Sequence, residues 1–149
     1  MRGSVWASGG LIVVMGLAPA SAYPADDAAK MLQGAWVAVK AEQDGKPAGD
    51  LVGHRLSFTR DRFDIRSKDG KDVYAGTFRT SPGAKPPAID FDQTEGTLKG
   101  KVWKGIYALD DETLTICDNA PDLAKPRPVA FEAKQGSGYV CLTFQRPKS

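Results

Sequence analysis

From residue 34 onward the chain alternates between apolar and polar positions. In "HRLSFTR", Leu56 and Phe58 are set against Arg55, Ser57 and Thr59, and in "RFDIRSK", Phe63 and Ile65 are set against Asp64 and Arg66. A period of two predicts strands with one buried face. The same pattern runs through the segment around Trp36 and through "DVYAGTFRT", "AIDFD", "KVWKGIYAL", "TLTICD", "PVAFEA" and "YVCLTFQR", which predicts about nine strands. Asp61-Arg62, Asp69-Gly70 and the run from Asp110 to Glu112 mark tight turns between them. One segment departs from this rhythm. Ala25 to Leu32 is rich in helix formers, has Asp26 and Asp27 at its start, and predicts a short N-terminal helix.

Short strands with brief connections predict an all-β fold, an antiparallel up-and-down β-barrel of about 8–9 strands. Two longer connections, "SPGAKPP" (81–87) and "DNAPDLAKPRP" (118–128), are rich in proline and polar residues and are expected at the rims. The inward positions are Trp36, Leu56, Phe58, Phe63, Ile65, Tyr74, Phe78, Ile89, Phe91, Trp103, Tyr107, Leu114, Ile116, Phe131, Val140, Leu142 and Phe144. A small barrel can be filled by such side chains. Ala38, Gly76 and Gly105 fall on the same face, however, and small inward residues leave room for a guest. If a guest is held, Tyr74, Phe78, Trp103, Tyr107 and Phe58 are the expected contacts. Tyr74, Trp103 and Tyr107 would orient it, because a buried hydroxyl or indole N–H seeks a partner.

The first 22 residues carry one early charge, Arg2, then the apolar run "GLIVVMGLAPA" and the small residues of Ala20-Ser21-Ala22. This is the pattern of an export signal, and the run is far short of the roughly 20 apolar residues of a bilayer span. The expected organisation is a signal peptide at 1–22 and one domain at 23–149, exported to a periplasmic or extracellular compartment with no membrane span after cleavage. Taking Arg2 from the 20 Lys and Arg leaves 19 against 18 Asp and Glu, without a block of like charge. Nucleic acid is not an expected partner of such a surface. A monomer without cofactor is expected.

The two cysteines, Cys117 and Cys141, would enter a compartment where disulfides persist. A bridge would close about 25 residues and add roughly 3.5 kcal/mol on the chain-entropy model. Against it, "PVAFEA" reads as a strand lying between theirs, which would hold them apart. Both outcomes stay open. No metal site is expected, since His54 is the one histidine and lacks ligand-like spacing to the cysteines. Catalytic signatures are missing too: there is no Gly-x-Ser-x-Gly turn, and a pairing of Cys117 with His54 would depend on the fold. Asp90 and Asp92 in "IDFDQTEG" share a strand face and could serve acid–base chemistry, but a solvated strand end explains them more simply. The protein is not expected to be an enzyme.

Taken in order, "LQGAW", "EQDGKPA", "LSFTRDRF", "YAGTF", "KPPAIDF", "EGTLKGK", "GIYALDDETLTIC", "KPRP" and "GSG" resemble the uncharacterised lipocalin-like domain common in planctomycete exported proteins. The resemblance covers nearly all of Leu32 to Arg146. It implies a lipocalin-like barrel and brings no established ligand or catalytic residue. Cys117 fits that family's Leu-x-Ile-Cys pattern, and Cys141 departs from it. The resemblance also implies a role for Gly34-x-Trp36: the indole would plug the closed end of the barrel, with Arg146 stacked over it and Gly34 permitting the close bend. Three functions follow: a carrier of a small hydrophobic or amphipathic molecule, a filled barrel that binds a protein or the envelope through its rim loops, and, least supported, a hydrolase-type enzyme.

Overall fold

The computed structural model describes residues 25–71 and 73–148; the predicted signal segment lies outside the described residues. The helix α1 (Ala25–Leu32) has the predicted bounds. Nine strands follow among the described residues: β1 (Gly34–Gln43), the two-residue β2 (Lys46–Pro47), β3 (Arg55–Thr59), β4 (Arg62–Arg66), β5 (Val73–Ser81), β6 (Ala88–Glu95), β7 (Val102–Asp110), β8 (Thr113–Asp118) and β9 (Val140–Gln145). All pair antiparallel. β1 and β3 through β9 follow one another around a closed eight-stranded up-and-down barrel, in which β9 returns to β1 through pairs from Val140↔Gln43 to Gln145↔Val37. β2 is an extra strand that folds back on β1 alone.

Alternation builds the core as the sequence predicts. Trp36, Leu56, Phe58, Phe63, Phe78, Ile89, Phe91, Trp103, Tyr107, Leu114, Ile116 and Phe144 form one buried cluster, joined by Leu32 and Ala38. Ala28 and Leu32, four residues apart and fully buried, give α1 its inward stripe. Gly76 and Gly105 serve strand approach rather than empty space. A Cβ on Gly76 would collide with the Asp92 carbonyl at a bulge between β5 and β6, and one on Gly105 would lie 2.8 Å from the Cys117 carbonyl oxygen.

One predicted strand is absent. "PVAFEA" lies in the irregular excursion between β8 and β9, and Phe131, expected inside, is 39% exposed there. Its failure to pair lets β8 and β9 become direct neighbours, with Cys141 opposite Cys117. The two are disulfide-bonded, their Cα atoms 4.1 Å apart. The excursion folds back over the outside of the barrel. There Ile106, Cys117, Cys141 and Ala133 make a second small core. Asn119 fastens its start, accepting from the Lys104 N–H at 2.9 Å and donating to the Lys125 carbonyl at 2.8 Å. Arg127 reaches the Gly105 carbonyl at 2.9 Å, and the Gly136 N–H reaches Asp44 at 2.7 Å. A smaller difference concerns the β3–β4 turn, which is centred on Arg60 and Asp61, one residue earlier than predicted, with Arg60 at φ 59°.

Candidate functional site

The two ends of the barrel are built differently. At one end β1 begins, and α1 lies beside it. Gly34 takes φ 100°, a conformation costly for any residue with a Cβ, and such a Cβ would also lie 3.2 Å from Nη1 of Arg146. This turn carries Trp36 inward, fully buried, with its Nε1–H donated to the Leu32 carbonyl at 2.8 Å. Arg146, one residue past β9, sets its guanidinium 3.7 Å from the Trp36 ring centroid. It also donates to the carbonyls of Met31 at 3.0 Å, Gln33 at 2.9 Å and Ala35 at 3.2 Å. A single cation thereby binds the last turn of α1, the linker and the first strand, and satisfies carbonyls that the helix end leaves without partners. The ring contact contributes about 0.5–2 kcal/mol. Gly34, Trp36 and Arg146 thus sit together as a plug.

Above the plug the rings pack in tilted, stacked and edge-to-face pairs. Phe58 lies 4.6 Å from Phe78 and 6.3 Å from Phe91, and Phe63 lies 4.9 Å from Phe91. The column continues through Trp103, 6.2 Å from Phe91, to Tyr74, 5.5 Å from Trp103. Here the packing stops. A cavity of about 870 Å³ opens to the opposite rim, its apolar wall formed by residues such as Leu56, Ile65, Phe91, Ile116, Leu142 and Phe144. That volume lies within the usual range of small-molecule pockets. An eight-stranded barrel has an interior suited either to filling by side chains or to one small ligand; this barrel is filled by side chains at its plugged end and hollow at its open end.

The expected contact residues divide along the same line. Tyr74 and Trp103 line the cavity. Phe58, Phe78 and Tyr107 belong to the packed cluster below and are absent from the cavity wall, because the column of rings occupies the space that a guest would need. Burial raises the Tyr107 hydroxyl above its ordinary pKa.

Sequence reading missed the polar groups of the wall, chiefly His54 and Asp118. The signal was present. His54 has the parity of Leu56 and Phe58, and Asp118 has the parity of Leu114 and Ile116, so continuing each alternation by one step turns both inward. Asp118 pairs with Gly105, where its Cβ leans over the glycine, and is 5% exposed. Its Oδ1 accepts the Ala120 N–H at 2.9 Å. Burial pushes the Asp118 carboxyl up to about 7, the Ala120 hydrogen bond opposing part of the rise. Trp103 Nε1 and His54 Nδ1 are buried without a hydrogen-bond partner.

The alternative chemistry is not assembled. Asp90 and Asp92 lie on the outer wall among arginines: Arg127 to Asp90 at 2.6 Å, Arg79 to Asp90 at 3.4 Å, and Arg79 to Asp92 at 3.2 Å. Cys117 is bonded to Cys141 and covered by the excursion, whereas His54 faces the cavity. No helix among the described residues is long and apolar enough to cross a membrane. Comparisons with protein families, with curated proteins and with solved structures find no match.

Proposed function

We propose that the protein is an exported carrier or sensor that holds one small hydrophobic or amphipathic molecule in the open half of a lipocalin-like barrel. The observation that carries this reading is the cavity of about 870 Å³, walled by aliphatic and aromatic side chains and sealed below by the ring column and the plug. Apolar surface in an open cavity is costly in water, roughly 25 cal/mol per Å², and a guest would remove that cost. The same observation weighs against a filled barrel acting only through its rims. Kinship with the planctomycete lipocalin-like domain is part of this proposal, as are export and cleavage after Ala22.

Native mass spectrometry tests it. The protein is recovered from an exporting host and compared with a denatured sample. A reproducible extra mass, lost on denaturation, is the expected result. A bare barrel that also fails to take up 1-decanol would overturn the reading.

A further inference from the structure

Two nitrogens of the cavity wall, Trp103 Nε1 and His54 Nδ1, have nothing to bind. Asp118 is buried, and among the described residues no Lys, Arg or His lies within ion-pair distance of it. A carboxyl removed from water without a counter-charge is unstable as the anion, and a cation brought to it restores the pair. Trp103 stands on the adjacent strand. Asp118 faces Gly105, and Trp103 is two residues along the same inner face, a diagonal of about 7–8 Å between backbones that side chains span. The Trp103 and Tyr74 rings, 5.5 Å apart and tilted at 60° to one another, both line the cavity. The indole N–H, on a residue 7% exposed, has no acceptor.

The remaining charged and titratable groups on the wall decide the sign of the guest. They are Asp50 on the turn before β3, His54 ahead of β3, Lys68 and Asp69 between β4 and β5, and Tyr74 on β5. Hydrogen bonds from Ser67 and from the Lys71 N–H lower the pKa of Asp69 and keep it ionised. With Asp118, three carboxyls line the cavity beside one ammonium and one imidazole. A fatty carboxylate would meet net repulsion, whereas an ammonium would meet attraction and aromatic faces.

Resting on the carrier reading, we infer that the guest is an apolar amine: its ammonium pairs with Asp118 against the Tyr74 and Trp103 rings, a neighbouring oxygen accepts the Trp103 N–H, and its hydrocarbon part fills the apolar wall. Affinity then rises with pH as Asp118 ionises, because an alkylammonium keeps its proton throughout that range.

Calorimetric titration with four probes of one chain length tests this: decylamine, 1-amino-2-decanol, 1-decanol and decanoate, each below its aggregation limit at pH 8. The amine is expected to bind at least tenfold more tightly than the alcohol or the acid, and the amino alcohol several-fold more tightly again. Asp118→Asn, which keeps the acceptor for Ala120, should bring the amine to within threefold of decanol measured on the same variant. A near-ultraviolet circular dichroism spectrum matching that of the unmodified protein certifies that the variant is folded. Trp103→Phe should erase the gain of the amino alcohol over the amine. Should decanoate equal the amine in the unmodified protein, or the amine preference persist in Asp118→Asn, the amine inference falls and the carrier reading stands. If none of the four binds, both fall.

Discussion

The plugged end and the open end of this barrel use the same residue types for opposite purposes. Trp36 and Trp103 are both buried inward indoles. Trp36 has its N–H bound to the Leu32 carbonyl and its face under Arg146, whereas Trp103 has no partner for its N–H and borders empty space. Arg146 satisfies three carbonyls at one end; Asp118, at the other, has a single hydrogen bond from a backbone amide and no counter-ion among the described residues. Polar groups that are fully paired make a structural lock, and polar groups left short of partners in a cavity are what the proposed guest would satisfy.

The contrast can be broken most forcefully at Trp36. Trp36→Ala should cost about 5 kcal/mol in denaturant unfolding, the upper end for a buried tryptophan, because Arg146 loses its ring and Leu32 its donor. Loss of guest binding without loss of stability would show that the plug belongs to the site. Asp118 comes next. The folded protein keeps on Asp118 a proton that the unfolded chain releases near its ordinary carboxylate pKa, so stability falls as pH rises from about 4 to about 7. The loss amounts to up to roughly 4 kcal/mol and should vanish in Asp118→Asn. Urea midpoints measured across that interval check it; a flat profile would mean that Asp118 is better solvated than its burial indicates.

Reduction of the Cys117–Cys141 bond should lower stability by about 3.5 kcal/mol on the chain-entropy model. Proteolysis should then cut the excursion between β8 and β9 first, since the bond ties together its two ends. The smallest expected effect sharpens the comparison most. Trp103→Phe removes an N–H that bonds to nothing and should cost only the packing of the lost ring, whereas Trp36→Phe also breaks a buried hydrogen bond and should cost about 1–3 kcal/mol more. Equal costs at the two positions would erase the distinction.

Much of the barrel was legible because period-two alternation states both the strand and its buried face. It located eight of the nine strands predicted, and of the residues expected inside only Phe131 lies outside; α1 was located by its helix formers and leading aspartates. "PVAFEA" misled because its alternation is real but its partners are absent: Val129 is 85% exposed, and the segment covers the outside of other strands instead of joining them. The cysteine bond stayed undecided for the same reason, since its geometry depends on which strands are neighbours. The stacking of Arg146 on Trp36 was anticipated through the resemblance, which gave the short motif and the basic residue just past the last strand their roles. The cavity was not, because alternation says which residues face inward and is silent on how far up the barrel they meet. Phe58, Phe78 and Tyr107 share the parity of Tyr74 and Trp103, and only their height in the barrel places them in the packed column.

The central claim is that one end binds and the other only holds the fold. It is tested most directly by nitrogen-edited NMR of the indole N–H signals of Trp36 and Trp103, the two tryptophans among the described residues, during titration with 1-decanol. The Trp103 signal is expected to shift and saturate while the Trp36 signal, fixed to the Leu32 carbonyl, stays in place. A saturating shift of Trp36 with Trp103 unmoved, or no shift of either, would contradict the account.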